Sequence, residues 1–567
     1  MRIFLVRTKI GSYIWHRKNS NYMKNYLELL QETASANWDR LSLCNYKGEQ
    51  FTYGELATSI AKLHTFFSNA GFVPGDKMAL CARNSARWGL SFLAINTYGA
   101  VAVPLLADFL PSSIENLTEH SESKVLFTDP DIWAKMDATH IKGLEVAISV
   151  RDFTLLYSAN ETVKNALENL QTTFSAKYPM GFTRESIRFH IGAEDELAII
   201  NYTSGTTSAP KGVMLTYGNM SATIDFSRRH MPCGPGDTLV SILPMAHMYG
   251  LATEFIFPCC MGVSVYYLGR TPSPTLLMKA MKDVKPFMFI SVPLVMEKVY
   301  KSSIKPVISK WYMKAVLILP FIGKAIYKKI GEKLKAAFGG RIRVFIMGGA
   351  ALNPEVDKCF KRIRIPYTVG YGMTEACPLL GWAAPEDYVS GSCGRPCHLL
   401  RIDSEDPHHI AGEIQVKGPN ICIGYYKNPT ANANLFTDDG YMHTGDLGII
   451  DKEGNIFIKG RSKNMILSAN GQNIYPEELE AVINSQPYVA ESIVVERVSK
   501  LVALVYLDKD AITRDKLDDE SVSDIPEAIR INSNRQLPAY SKIAKVEIVL
   551  SPFEKTPKMS IKRFMYK

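Results

Sequence analysis

Apolar positions along the chain switch repeatedly between a helical and a strand period. From Met23, "MKNYLELLQETA" spaces its apolar residues along one face of a helix. Up to about residue 130, helical patterns such as "ELATSIAKLHTFFSNAG" alternate with short apolar runs such as "KMALCARN" and "KVLFTD", and "WGLSFLAINTYGAVAVPL" carries both in succession. That alternation predicts an α/β fold of layered sheets and helices. It continues through "TLVSILPMAHMYG" and "PFMFISVP". "RIRVFIMGGAAL" reads as a strand ending in Gly348-Gly349, and "YTVGYGMTEACPLLG" as another strand running into a loop. From Gly412 the pattern becomes short strands with frequent turns, and near "GRSKNMILSANGQNIYPEELEAV" it becomes a small α/β unit reaching the C-terminus. No internal repeat or low-complexity tract interrupts it.

Between the strand-like "ELAIINY" and the ordered "GVMLTYGNM" lies "YTSGTTSAPKGV", a loop rich in hydroxyls and poor in bulk. Glycine lets a backbone approach an anion, hydroxyls and N–H groups cradle its oxygens, and a lysine adds a point charge. The spacing of Gly205 and Lys211 is that of the Walker loop, but Pro210 and Gly212 stand where that loop needs Gly and Ser/Thr. A hydroxyl-rich run can also be a solvated turn. Its two ordered flanks favour a functional loop.

With 567 residues the chain should hold more than one domain. Hydrophobic content of 46% and charged content of 21% are those of a globular protein. The net charge of +9 suits anionic ligands or a membrane surface. Nucleic acid is not expected, because no zinc-finger spacing or RNA-binding aromatic signature accompanies the charge. The ten cysteines are scattered without metal-ligand spacing, which suggests reduced thiols in a cytoplasm. Residues 1–22 carry five Lys/Arg and no acid, with an apolar piece too short for a signal core, and read as a disordered basic extension. Between Lys301 and Lys335 there are nine lysines and one acid around the apolar centre "AVLILPFIG". That centre is too short to span a bilayer. The segment reads as a solvated helical insertion or as a peripheral contact with the inner face of an anionic membrane.

Several loops in fixed order say more than any one of them. "YTSGTTSAPKG", "LPMAHMYG", "MGGAAL", "GYGMTEACPLLG", "YMHTGDLG" and "KGRSKNMILSANGQNIYPEELE" follow one another in that sequence. In this the chain resembles the adenylate-forming (ANL) superfamily, and within it the long-chain acyl-CoA synthetases, over roughly residues 23–567. The resemblance implies a large N-terminal domain of layered sheets and helices plus a small β-barrel over residues 23–460, and a small mobile C-terminal α/β domain over 461–567. It implies a two-step ligase that uses ATP and Mg²⁺, joins a fatty acid to AMP, and passes the acyl group to CoA.

The resemblance also assigns residues. Thr203, Ser204, Gly205, Thr206, Thr207 and Lys211 would hold the β- and γ-phosphates, with Thr206 and Lys211 catalytic. Thr374 would touch the α-phosphate and Glu375 would bind Mg²⁺, which prefers hard oxygen ligands. Tyr371 and Gly372 would face adenine, with Gly348, Gly349 and Ala350 as the opposite wall. Asp446 would accept both ribose hydroxyls, a match for an acceptor-only carboxylate, and Arg461 would be the second ribose contact. Lys463 would be the hinge, Gly471 would line the thiol tunnel, and His247 would lie beside the acyl carboxylate. The apolar stretches Met248 to Cys260 and Phe287 to Val299 suit an acyl tunnel wall and suit ordinary core equally.

The pattern breaks at the C-terminus. The family's last motif carries a lysine that touches the α-phosphate, and "EKTPKMSIKRFMYK" places Ser560 there. Lys558 and Lys562 flank it, and in an extended segment 558, 560 and 562 share one face. Lys558 is therefore expected to substitute. Two rivals remain beside a CoA ligase. One is an acyl-acyl-carrier-protein or acyl-AMP ligase, and the other is an adenylation-impaired or non-catalytic acyl/nucleotide-binding homologue.

Overall fold

The computed structural model describes residues 23–203, 211–269, 273–467, 473–498, 500–555 and 561–566. Its largest sheet has eight strands, in the order Gly424–Tyr425, Lys211–Thr216, Leu197–Thr203, Val101–Pro104, Lys77–Cys81, Val125–Thr128, Val146–Ser149, Leu155–Ser158. The five from Leu197–Thr203 to Val146–Ser149 run parallel. Three of them are buried at every position, which is why they read as continuous apolar runs rather than as alternation.

The helix Ala86–Tyr98 follows one of these strands and is buried on nearly every side. Ser85 caps its start by accepting from the Trp88 N–H, and Gly99 closes it at φ 89°, a left-handed conformation open to glycine. Trp88 stacks on Phe92 with ring centres 5.7 Å apart, and Phe255 meets both rings edge-on. A four-stranded sheet lies alongside, in the order Thr238–Ser241, Ser264–Tyr267, Leu41–Asn45, Gln50–Thr52.

A second core surrounds the parallel strands Met288–Ser291, Val344–Met347 and Tyr367–Val369. Phe289, Phe338 and Phe345 pack edge-to-face within it. The chain then turns to short antiparallel strands. Leu399–Asp403, Gly412–Lys417, Met442–Ile450 and Ile456–Arg461 form one sheet, and Tyr371–Gly372, Leu379–Trp382 and Arg395–Pro396 form another. Backbone bonds from Cys393 N to Ile456 O and from Ile456 N to Gly394 O join the two. They occupy the place expected for the small barrel. Beyond them, Val489–Arg497, Lys500–Leu507 and Lys545–Val549 form a sheet with its own apolar core, covered by the helices Pro476–Asn484 and Asp519–Gln536. The architecture is thus the layered α/β arrangement that the patterning predicts.

The Lys-rich segment is helical, with Trp311–Ile318 and Pro320–Ala337 forming a hairpin. Two glycines hold it in place. A Cβ on Gly323 would lie 2.3 Å from the Leu317 carbonyl oxygen, so the turn closes only over a glycine. A Cβ on Gly331 would lie 2.0 Å from the Ile363 carbonyl oxygen, so the longer helix presses on the end of the helix Pro354–Ile363. Among the described residues no helix is long and apolar enough to cross a membrane.

All ten cysteines are free thiols, eight of them buried, and burial raises the pKa of every one. Glu254 is a fully buried acid of the main core. Glu254, in the π-helical stretch Leu251–Ile256, accepts through Oε2 from the Ser241 hydroxyl at 2.9 Å and from the Ile242 and Leu243 N–H groups at 3.0 and 2.9 Å. Its Oε1 is buried without a hydrogen-bond partner, and burial pushes the carboxyl from 4.5 up to about 8. Between those two pH values the folded chain keeps a proton that the unfolded chain releases, so this group's contribution to stability falls as pH rises from about 5 to about 8. Glu254→Gln should flatten that decline, as read by urea midpoints at both ends of the window. Parallel declines in variant and parent would show that Glu254 is not the group responsible.

Candidate active site

The loop that opens the functional pattern is carried by a β-hairpin. Leu197–Thr203 and Lys211–Thr216 pair antiparallel, and their register brings Thr203 opposite Lys211 at the hairpin's mouth. Ser204, Gly205, Thr206 and Thr207 lie outside the described residues, as do Gly471, Lys558 and Ser560. Two contacts fix the first strand. Tyr202 and His120 share a 2.6 Å hydrogen bond through the phenol oxygen and Nδ1, and the buried Asn201 donates to the Ala246 carbonyl at 2.9 Å. The second bond ties the hairpin to the segment bearing His247. There His247 Nδ1 accepts from the Tyr249 N–H at 3.2 Å and caps a short helix, with the ring half-buried.

The strand Gly424–Tyr425 extends the same sheet, with Tyr425 opposite Val213. Its ring lies under the Lys211 ammonium, 4.8 Å from ring centre to Nζ, and its hydroxyl donates to Glu375 Oε1 at 2.9 Å. One aromatic side chain therefore contacts both a cation and a carboxylate. Glu375 sits with Thr374 in the single turn Thr374–Ala376, both buried. Asn420 pins that turn through bonds to the Ala376 and Leu379 carbonyls at 2.8 and 2.7 Å.

The second cluster forms where the parallel strands end, the edge at which ligands bind in open α/β sheets. Gly348 follows the strand Val344–Met347, and its N–H donates to the Ser291 carbonyl at 3.1 Å. A Cβ there would lie 3.0 Å from the Tyr249 ring, so the glycine lets the "MGGAAL" and "LPMAHMYG" segments touch. Gly349 adopts φ 85° and is exposed with Ala350. Tyr371 follows the strand Tyr367–Val369, and its hydroxyl donates to Asp446 Oδ2 at 2.7 Å. Gly372 approaches Pro378 so closely that a Cβ would lie 2.2 Å from its carbonyl oxygen.

Asp446 and Arg461 meet by register, being paired positions of the antiparallel strands Met442–Ile450 and Ile456–Arg461. Arg461 Nε lies 2.8 Å from Asp446 Oδ1, and its Nη1 donates to the Thr444 carbonyl at 3.2 Å. Burial pushes the Asp446 carboxyl upward, while Arg461 and the Tyr371 hydroxyl oppose that shift. Each oxygen already has one partner, and each retains a lone pair for a further donor. Lys463 is exposed in the turn Ser462–Asn464, directly after this strand.

The C-terminal lysines divide. Lys555 pairs with Glu491, and Lys562 lies 3.2 Å from Glu554, while Lys555 and Ile561 bridge backbone to backbone. Arg563 pairs with the buried Glu480 and donates to the Val494 carbonyl at 3.3 Å. Sequence reasoning missed Tyr425, Thr444 and Glu254. No local motif marks them, because the partners of all three are set by topology.

A phosphate-type loop, a carboxylate beside a lysine and a second carboxylate at the sheet edge are features of enzymes that attach AMP to an acid. The chain belongs to the AMP-binding enzyme family, of the adenylate-forming superfamily, matching it over residues 30–426 and the AMP-binding enzyme C-terminal domain over 463–566. Long chain acyl-CoA synthetase 7, peroxisomal, of Arabidopsis thaliana is 30% identical over 498 residues, covering 81% of this chain and 69% of its own. A chloroplastic long-chain-fatty-acid–[acyl-carrier-protein] ligase of the same plant is 27% identical over 650 residues, covering 96% and 85%. In fold the chain is similar to O-succinylbenzoate coenzyme A synthetase from Bacillus subtilis, solved with ATP and a magnesium ion, at a TM-score of 0.72 and 22% identity over 94% of this chain and 98% of that one.

Tyr425→Phe keeps the ring under Lys211 but removes the donor to Glu375. It should cost about 1–3 kcal/mol of stability, the penalty for a buried acceptor left unpaired, read by denaturant unfolding. A loss well below that range would mean water replaces the hydroxyl.

Proposed function

We propose that the chain joins a long-chain fatty acid to AMP at the expense of ATP, and then transfers the acyl group to the thiol of CoA. The observation that carries this reading is the pairing of two clusters, Lys211–Tyr425–Glu375 and Tyr371–Asp446–Arg461, on loops in the family's order. The long-chain substrate rests on the likeness to the plant synthetase.

In the first step a carboxylate oxygen attacks the α-phosphorus, and the bond to the β-phosphate breaks to release pyrophosphate. Both reactants are anions, so the site must supply positive charge and orientation. Lys211 and the hydroxyls of Thr203, Ser204, Thr206 and Thr207 are suited to the β- and γ-phosphates, with Gly205 giving the backbone room. Thr374 is suited to the α-phosphate. Asp446 and Arg461 would hold the ribose hydroxyls, and Tyr371 and Gly372 would face adenine across from Gly348 to Ala350. In the second step the sulfur attacks the acyl carbon, AMP leaves, and the thiol proton is released. Lys463 is proposed as the hinge about which the C-terminal part turns between the steps, with the boundary near residues 460–461, and Gly471 as lining the thiol path. His247 is proposed beside the acyl carboxylate.

Glu375 is the proposed Mg²⁺ ligand. Among the described residues no group of three or more His, Cys, Asp or Glu could hold a metal alone. A single hard-oxygen carboxylate fits Mg²⁺, which keeps its waters and leans on substrate phosphates. When bound, the ion neutralises charge on the phosphates.

Lys558 is proposed for the adenylation role of the family's lysine, at whose position Ser560 stands; Lys555 and Lys562 are each paired with a carboxylate. The reading is tested by incubating the protein with palmitate and Mg-ATP, with and without CoA, and measuring pyrophosphate, acyl-AMP and acyl-CoA. Palmitoyl-CoA that forms only with CoA supports it. No pyrophosphate at any chain length, with supplied acyl-AMP still converted, would point to the adenylation-impaired reading. The acyl-carrier-protein relative favours a second thiol, so holo-carrier protein is the parallel arm. Lys558→Ala should cut acyl-AMP formation by orders of magnitude and leave thioester formation from supplied acyl-AMP intact. Asp446→Asn should raise the KM for ATP about 10- to 100-fold, the loss of charge-assisted hydrogen bonds.

A further inference from the structure

The helical hairpin of residues 311–337 presents an apolar tip to solvent. At the turn Ile318 and Phe321 are 80% and 87% exposed and Leu319 and Ile322 beside them are also exposed, while Trp311, at the start of the first helix, is 83% exposed. The helix Trp311–Ile318 has no buried residue. Of the exposed large apolar side chains among the described residues, this hairpin carries the densest run, and a contiguous patch of that kind marks an interaction surface. The close approaches at Gly323 and Gly331 make the tip a fixed feature of the fold.

Charge says what covers it. Residues 301–335 hold nine lysines and one acid. Behind the tip, a cavity of about 780 Å³ opens between the hairpin and the helix Pro354–Ile363. Its lining includes Lys314, Lys324, Lys361, Arg362 and Arg364. The acid in that lining, Glu355, is already occupied by Lys305 at 3.1 Å and by the Tyr300 hydroxyl at 2.8 Å. The cavity therefore has uncompensated positive charge beside exposed apolar groups.

We propose that this hairpin docks the protein on an anionic phospholipid bilayer, the tip entering the acyl boundary and the basic cavity taking lipid phosphates. An apolar wedge ringed by lysines gains from both burial and surface potential. With nine residues in its apolar centre it lies in the interface and does not cross. None of the described residues assigned to the proposed reaction lines this cavity.

The test is sedimentation of the full chain with phosphatidylcholine vesicles, with and without phosphatidylglycerol. The parent should pellet with the anionic vesicles and be released by added salt. Ile318→Glu/Phe321→Glu should lower the partition coefficient at least about tenfold, because two buried apolar anchors are lost. Lys314→Glu/Lys324→Glu should lower it by about twentyfold or more, since each basic residue near the surface contributes about fivefold. All four substituted side chains are exposed, so circular dichroism should match the parent. On vesicles the tryptophan emission should shift to the blue, and Trp311→Phe should reduce that shift. A folded parent that stays in the supernatant with anionic vesicles would overturn the proposal. So would equal binding to neutral vesicles, or an unchanged partition of either double variant.

Discussion

Taking a carboxylate out of water costs several kcal/mol unless charge and hydrogen bonds answer it. Asp446 is answered twice, by Arg461 across the strand pair and by Tyr371 from a different sheet. Satisfying it therefore requires the small antiparallel sheet and the end of the parallel sheet to be docked correctly. The same demand recurs at Glu375, whose partner Tyr425 belongs to the far edge of the eight-stranded sheet. The two acids act as fasteners between layers, and the site exists where the fasteners converge.

This arrangement explains the position of the glycines in the motifs. Gly348 allows Tyr249 to press against the end of the parallel sheet, and Gly372 allows the chain to pass within contact of Pro378. Neither is a phosphate-binding device by itself. Both permit a close approach of neighbouring segments, and a methyl group at either place would collide with the segment opposite.

Much of the fold was legible because burial imposes a period. The strands flanking the hydroxyl-rich segment after Tyr202, the central helix after Ser85 and the change to short strands after Gly412 all follow from the spacing of apolar residues. The candidate site was legible only as isolated loops. Tyr371 and Asp446 are 75 residues apart, and Tyr425 and Glu375 are 50 apart, so neither pairing leaves a local signal. Tyr425 carries no local signal because its value lies in the strand partner that places it under Lys211. The tip of the lysine-rich hairpin was ambiguous for a related reason. Composition gives its charge, but only packing reveals that its apolar residues point outward.

The burial of the cysteines has a chemical consequence for such a catalyst. Enzymes of the adenylate-forming class make acylating agents, and a thiolate is the side chain most ready to be acylated. Cys359, among the less shifted thiols, is raised to about 11, so on the order of one in ten thousand of its molecules is ionised at neutral pH. The other nine are raised as well, in each case chiefly by loss of water around the thiol. A thiol held protonated in this way is a weak nucleophile toward an acylating agent.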